Sequence, residues 1–176
     1  PLSNLKIIVP ADSWETAEAV KWAAEYEGPV FIRLSRMLVP DLVVENRKFQ
    51  PGKAELVRDG GDVTLIACGP MVHLAVQAAL ELQADGISAR VLNMATISPL
   101  DEAAISLAAR ETGAIVTIEE ANIHGGLGGA VAEHTSADIP VPVERMGFPG
   151  FVPTGSVEWL FDHFGLTAAG IARTAR

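Results

Sequence analysis

The stretch DVTLIACGPMVHLAVQAALELQADGISARVLN, Asp62 to Asn93, decides the fold class. Val63 to Ala67 is an apolar run of strand length. Pro70 then opens an Ala/Leu-rich stretch that runs to Ala84, with Gly86 just past its end, the positions that suit the start and stop of a helix. Ser88 to Asn93 returns to strand composition. A strand, a helix and a strand in so short a span predict two parallel strands joined by a crossover helix.

The alternation continues downstream. After the Ser98-Pro99 stop the spacing predicts a helix over Asp101 to Arg110, a strand over Ala114 to Glu119 and a helix entered through a glycine-rich turn from Gly126 to about Thr135. Val141 to Arg145 is the last expected strand, and helices follow over Val157 to His163 and Ala168 to Thr174, around Gly165. Residues 62 to 176 therefore read as one compact, mainly parallel α/β domain. Upstream, Leu5 to Val9 is a strand stopped by Pro10, and Asp12-Ser13-Trp14-Glu15 offers an N-cap with a carboxylate three residues on, opening a helix through about Tyr26. Gly28-Pro29 punctuates before the strand Val30 to Leu34. One such unit cannot bury its own sheet, so it is expected to be the tail of a larger α/β domain or to pack on a partner. The start at Pro1, entering a strand almost at once, reads as a chain beginning inside a fold. Between the two parts, residues 37 to 61 carry Pro40, Pro51, Gly52, Gly60 and Gly61 among mixed polar residues with no sustained period, the composition of a linker.

The 176 residues are enough for one good core with a piece of a second domain. Thirteen Lys+Arg against 22 Asp+Glu give a net charge of −9, a field that repels phosphate backbones and anionic lipid, so nucleic-acid and membrane-surface binding are expected to be absent. The excess is uneven: residues 1 to 100 hold 12 acids and 9 bases, residues 101 to 176 hold 10 and 4, which places any anion site in the first half. One cysteine, Cys68, leaves no internal disulfide and fits a reducing cytosol, and no apolar run approaches a membrane span.

Several features invite chemistry. The glycines of His124-Gly125-Gly126-Leu127-Gly128-Gly129-Ala130 follow a strand and open a helix, the place for a phosphate cradle, but their spacing fits no dinucleotide fingerprint and Glu119 and Glu120 stand just before them. Tight packing of helix on strand is the plainer reading, with a nucleotide site as the sharper one. Glu119 and Glu120 are adjacent in a strand and must point to opposite faces, so they cannot flank one substrate bond. His73, His124, His134 and His163 fall on different elements, and Ser156 lacks the setting of a nucleophile elbow. Cys68 reads as a small buried thiol, and Trp14, Trp22 and Trp159 as packing or interface residues. Arg33 and Arg36 flank the end of the second strand. Ligands in open parallel sheets collect at the carboxyl ends of strands, and an arginine there can fork onto a phosphate, against the alternative of a structural salt bridge.

The runs Pro29-Val-Phe-Ile-Arg-Leu-Ser-Arg36, Asp62-Val-Thr-Leu-Ile-Ala-Cys-Gly69, Val91-Leu-Asn-Met-Ala-Thr-Ile-Ser-Pro-Leu-Asp101 and Thr117-Ile-Glu-Glu120 with Gly125-Gly-Leu-Gly128 resemble the C-terminal part of transketolase, and more closely the short C-terminal subunit of two-subunit bacterial transketolases. The resemblance covers essentially the whole chain in family order. It implies an α/β fold with the three-layer, mainly parallel sheet of the transketolase C-terminal domain over residues 62–176. Before it would come the last βαβ part of a pyrimidine-binding domain over residues 1–36, then the linker 37–61. It implies an enzyme that uses thiamine diphosphate with Mg (or Ca) to move a two-carbon ketol unit between sugar phosphates. The catalytic glutamate and the cofactor machinery lie upstream in the family or in another subunit, so no catalytic, cofactor or metal residue is expected in this stretch. Arg36 alone carries over, as the arginine that binds the substrate phosphate. The partners implied are the missing N-terminal domains or subunit and further copies of the chain, in a homodimer or heterotetramer. The alternatives are 1-deoxyxylulose-5-phosphate synthase, the E1 beta-like subunit of a 2-oxo acid dehydrogenase, and a non-catalytic interaction module. Ala121 stands where relatives often have histidine, and Phe148-Pro149-Gly150 departs from a more acidic segment.

Overall fold

The computed structural model describes residues 2–176. Two sheets carry the chain. The first is small, with β1 (Lys6–Ile8) central between β2 (Val30–Ile32), parallel to it, and β6 (Thr96–Ser98), antiparallel. The second has five strands in the order β3 (Glu55–Arg58), β5 (Ala89–Asn93), β4 (Val63–Ala67), β7 (Ile115–Asn122), β8 (Val143–Phe148). Its contacts β5/β4, β4/β7 and β7/β8 are parallel and β3/β5 is antiparallel. The helices are α1 (Ser13–Glu25), α2 (Met71–Ala84), α3 (Glu102–Thr112), α4 (Leu127–Ala137), α5 (Val157–Phe164) and α6 (Ala168–Ala175). None is long and apolar enough to cross a membrane.

Because side chains alternate along a strand, β4 serves two cores at once. Leu65 and Ala67 join Met71, Ala75, Leu82 and Ile171 on the side of α2 and α6. Ile66 and Cys68 join Ile105, Ala108 and Val131 on the side of α3 and α4. All five residues of β4 are buried, and helix, sheet and helix make the three layers expected of residues 62–176. Local signals set the helix ends. Asp12 Oδ1 accepts the Glu15 N–H at 2.8 Å, and Glu15 Oε2 reaches back to the Ala11 N–H at 2.7 Å. Gly113, at φ +68°, closes α3 in the left-handed conformation that glycine adopts without strain.

Two strands fall where the sequence pattern predicts none. β3 lies inside residues 37–61, read above as linker: it is a short edge strand whose register slips between Leu56 and Arg58, which breaks the alternation that would reveal it. β6 spans only Thr96–Ser98 and exists through its pairing with β1. That pairing joins the first part of the chain to the second, as do the Gly69 N–H donated to Val9 O at 3.0 Å and the Val9 N–H donated to Ala95 O at 2.7 Å. At and just after β2, an edge strand of the small sheet, Phe31 and Leu34 are more than half exposed.

Candidate functional site

The carboxyl ends of β1 and β2 and the amino end of α1 converge on a cavity of about 230 Å³ lined by Ser13, Thr16, Ser35, Met37 and Pro70, among others. Ser35 and Met37 are the neighbours of Arg36 in the chain. The two arginines that strand-end position alone leaves equivalent are separated here. Arg33 is structural: its Nη2 donates to Glu120 O at 2.6 Å, and its Nη1 lies 3.5 Å from Glu120 Oε2. Arg36 is exposed and has no ion-pair partner among the described residues. Arg36 does not itself line the cavity, which its neighbours Ser35 and Met37 do, but an exposed arginine without an internal ion pair keeps its donors for an anion.

Sequence reasoning missed the group beneath this cavity. Arg47, in the irregular segment after β2, is nearly buried among Asp12, Glu15 and Glu55. Its Nη1 lies 2.5 Å from Asp12 Oδ2, its Nε donates to Glu55 at 2.9 Å and its Nη2 is 3.7 Å from Glu15 Oε1. The guanidinium also sits 4.5 Å from the ring centre of Trp14. Asn93, at the end of β5, donates to Glu15 Oε1 at 2.9 Å. Burial raises the Glu15 carboxyl above its ordinary value, opposed by the Ala11 N–H, Asn93 and Arg47. One cation among three carboxylates thus fastens α1, β3 and β5 together. Glu15, three residues after a cap, was visible as a capping carboxylate; nothing in the local pattern at Arg47 marks it as buried.

The glycine turn before α4 proves to be packing. Glu119 is buried and turns its carboxylate onto the start of that helix, where Oε2 accepts the Leu127 N–H at 3.0 Å and Oε1 the Gly128 N–H at 2.8 Å. A Cβ on Gly126 would lie 2.0 Å from Glu119 Oε2, and one on Gly128 would lie 2.7 Å from Thr117 Oγ1. The N–H groups a phosphate would need already hold an internal carboxylate, which overturns the nucleotide reading of these glycines. The Glu120 carboxylate lies instead beside Arg33, in keeping with the alternation of adjacent strand positions. The Leu127 and Gly128 N–H groups are therefore not free to take the diphosphate of thiamine diphosphate, and among the described residues no three His, Cys, Asp or Glu side chains come together as a metal site.

Burial pushes the Glu119 carboxyl above its ordinary value of 4.5, against the pull of the Gly128 and Leu127 N–H groups and of Arg145 and Arg33. A group raised in the folded state contributes stability that is complete below 4.5 and is lost as pH rises through the folded value. Glu119→Gln removes that titration. The stability of the native chain relative to Glu119→Gln is expected to increase as pH falls from neutrality towards 4.5, read by thermal unfolding. A gap that ignores pH would contradict it.

The remaining candidates stay apart. His73 bonds Gln77, His163 stacks on Trp159, and Cys68 is buried with its thiol pushed well above its ordinary range by desolvation. Ser106 Oγ meets His134 Nε2 at 2.8 Å and Asp138 Oδ2 at 2.5 Å. Histidine and aspartate both address the hydroxyl, so the three clasp α3 to α4 rather than forming a nucleophile relay.

A three-layer α/β domain with a parallel central sheet, joined through a short antiparallel strand to a βαβ piece that carries an unpaired arginine, defines the class. The chain belongs to the family described as transketolase, C-terminal domain, which it matches over residues 52–171. It is 45% identical, over 98% of its own length and 55% of the relative's, to an apulose-4-phosphate transketolase subunit of Phocaeicola vulgatus. It is 43% identical, over 99% of its length and 54% of the relative's, to a 6-deoxy-6-sulfo-D-fructose transketolase subunit of a Clostridium species. A 1-deoxy-D-xylulose-5-phosphate synthase of Heliobacterium modesticaldum is 39% identical over 99% of this chain and 28% of that protein. Among solved structures, a split gene transketolase, described as an inactive beta4 tetramer, superposes with a TM-score of 0.94 at 42% identity, covering 98% of this chain and 57% of that one. The chain spans about half the length of the curated transketolase subunits it matches.

Proposed function

We propose that this chain is the C-terminal part of a thiamine-diphosphate-dependent transketolase that moves a two-carbon ketol unit between sugar phosphates. The observation that carries the proposal is the kinship of 98% of the chain with one subunit of the apulose-4-phosphate transketolase. In this reading residues 1–36 close a pyrimidine-binding domain and the C-terminal domain follows. Residues 37–61, which contain strand β3, link the first domain to the C-terminal domain of residues 62–176. Thiamine diphosphate and Mg (or Ca) are held by the N-terminal domains or subunit with which the chain assembles. Arg36 binds the phosphate of the sugar, and the exposed apolar residues Phe31 and Leu34 lie on surface covered in the assembly, which includes further copies of the chain. Its place is the cytoplasm, in keeping with a single unpaired, buried cysteine.

The kinship with 1-deoxy-D-xylulose-5-phosphate synthase supports a second reading, in which pyruvate is the donor. Donor choice separates the two. With a ketose phosphate and with pyruvate offered in turn to the complete enzyme, turnover is expected with the ketose phosphate; turnover with pyruvate alone would transfer the chain to the second reading.

A further inference from the structure

Arg36 has no partner of its own, so whatever holds it in place must act through the chain on either side. Residues 33–54, between β2 and β3, form neither helix nor strand, and no ladder of backbone bonds holds them. Upstream, the anchor is the end of β2: the Arg33 N–H donates to Ile8 O at 2.9 Å and its guanidinium to Glu120 O. Downstream, the side-chain bonds that tie residues 37–50 to the rest of the fold run to the starts of α1 and β3. The Ser13 N–H and hydroxyl donate to Asp41 Oδ1 at 3.2 and 2.6 Å, and the Leu42 N–H donates to Asp12 Oδ2 at 2.9 Å. Arg47 closes the run onto Asp12 and Glu55.

Asp12 is the common point. Its Oδ1 caps α1, while its Oδ2 takes both the Leu42 N–H and the Arg47 guanidinium. Without the cation, Oδ2 would face Glu15 and Glu55 unopposed, and these three carboxylates would repel one another across the segment they now gather. Met37 and Leu42, next to Arg36 and to the Asp41 anchor, pack on the core only while the segment lies here. We infer that Arg47, through Asp12, is a positioning residue for Arg36: it straps residues 37–47 across the amino end of α1 and so sets where the Arg36 guanidinium meets a substrate phosphate. This rests on the reading of Arg36 as the phosphate-binding residue. Misplacement of a binding group by about 1 Å is enough to cost up to 100-fold in turnover of the bound substrate.

The test is a set of variants in the complete enzyme, each assayed with a phosphorylated aldose and with its unphosphorylated counterpart as acceptor. Arg47→Met is expected to raise KM about 10-fold for the phosphorylated acceptor and to leave KM for the other unchanged, with Arg47→Lys recovering part of the loss. In an Arg36→Ala background the Arg47→Met effect on KM should vanish, because there is no longer a guanidinium to place. Equal KM increases for the two acceptors, or an undiminished effect in the Arg36→Ala background, would overturn the inference while leaving the phosphate reading intact. An Arg36→Ala variant with unchanged KM for the phosphorylated acceptor would overturn both. Should Arg47→Met fail to fold, Asp41→Ala loosens the same strap at an exposed position; a rise of about twofold or more in the same KM, confined to the phosphorylated acceptor, is expected, and no change overturns the inference.

Discussion

Arg36→Ala in the complete enzyme is expected to raise KM for a phosphorylated acceptor by about 10- to 100-fold and to leave thiamine diphosphate affinity unchanged. The size follows from the loss of one charge-assisted hydrogen bond, worth about 1.5 to 3 kcal/mol. Its direction follows from geometry. The side chain is exposed and carries no internal ion pair, so truncation removes an interaction with the ligand and little else. Arg33→Ala serves as the contrast: it breaks the contacts to Glu120 that tie the end of β2 to β7, and it should lower stability more than it alters substrate binding. Steady-state kinetics with a phosphorylated and an unphosphorylated acceptor checks the pair, and an Arg36→Ala enzyme with native KM for the phosphorylated acceptor would remove Arg36 from the site.

Arg47→Ala is expected to destabilise the fold by about 3 to 5 kcal/mol, the range for removing one partner from a buried ion cluster. Asp12 and Glu15 are almost wholly buried and lose their cation, and Trp14 loses the guanidinium stacked on it. A shift of about 2 to 4 °C per kcal/mol in a chain of this size turns the loss into about 6 to 20 °C in melting temperature. The deficit has a pH signature. In the variant Glu15 loses the Arg47 charge that opposes the upward push of burial, so the variant recovers stability as Glu15 is protonated, and the gap to the native chain narrows as pH falls through the carboxylate range. A melting shift of only a degree or two, independent of pH, would show that the cluster contributes little.

Much of the fold is legible in the residues because local and tertiary preferences agree. Val63 to Ala67 is strand-like by composition and fully buried by topology; Asp12 is a cap in the pattern and in the structure; Gly86 and Gly113 end helices with positive φ. The misses have two physical origins. β3 and β6 are three or four residues long and depend on partners far away in the chain, so no local period announces them. The Arg47 cluster draws on Asp12, Glu15, Glu55 and Asn93, which topology alone brings together. The same origin explains Glu119: its place before a glycine turn was plain in the sequence, but its turning inward to cap α4 depends on the packing of Gly126 and Gly128 against it. For the site, position at a strand end nominated both Arg33 and Arg36. The resemblance chose Arg36, and the pairing of Arg33 with Glu120, across 87 residues, gives the structural difference between them.

The most direct measurement follows the two carbons themselves. A ketose phosphate labelled at C1 and C2 is given to the complete enzyme with an aldose phosphate acceptor, with and without thiamine diphosphate, and the products are resolved by mass. The predicted result is transfer of both labelled carbons together to the acceptor, only when the cofactor is present. Failure of the labelled pair to move in an enzyme that turns over pyruvate would contradict the assignment of this chain to a ketol-transferring transketolase.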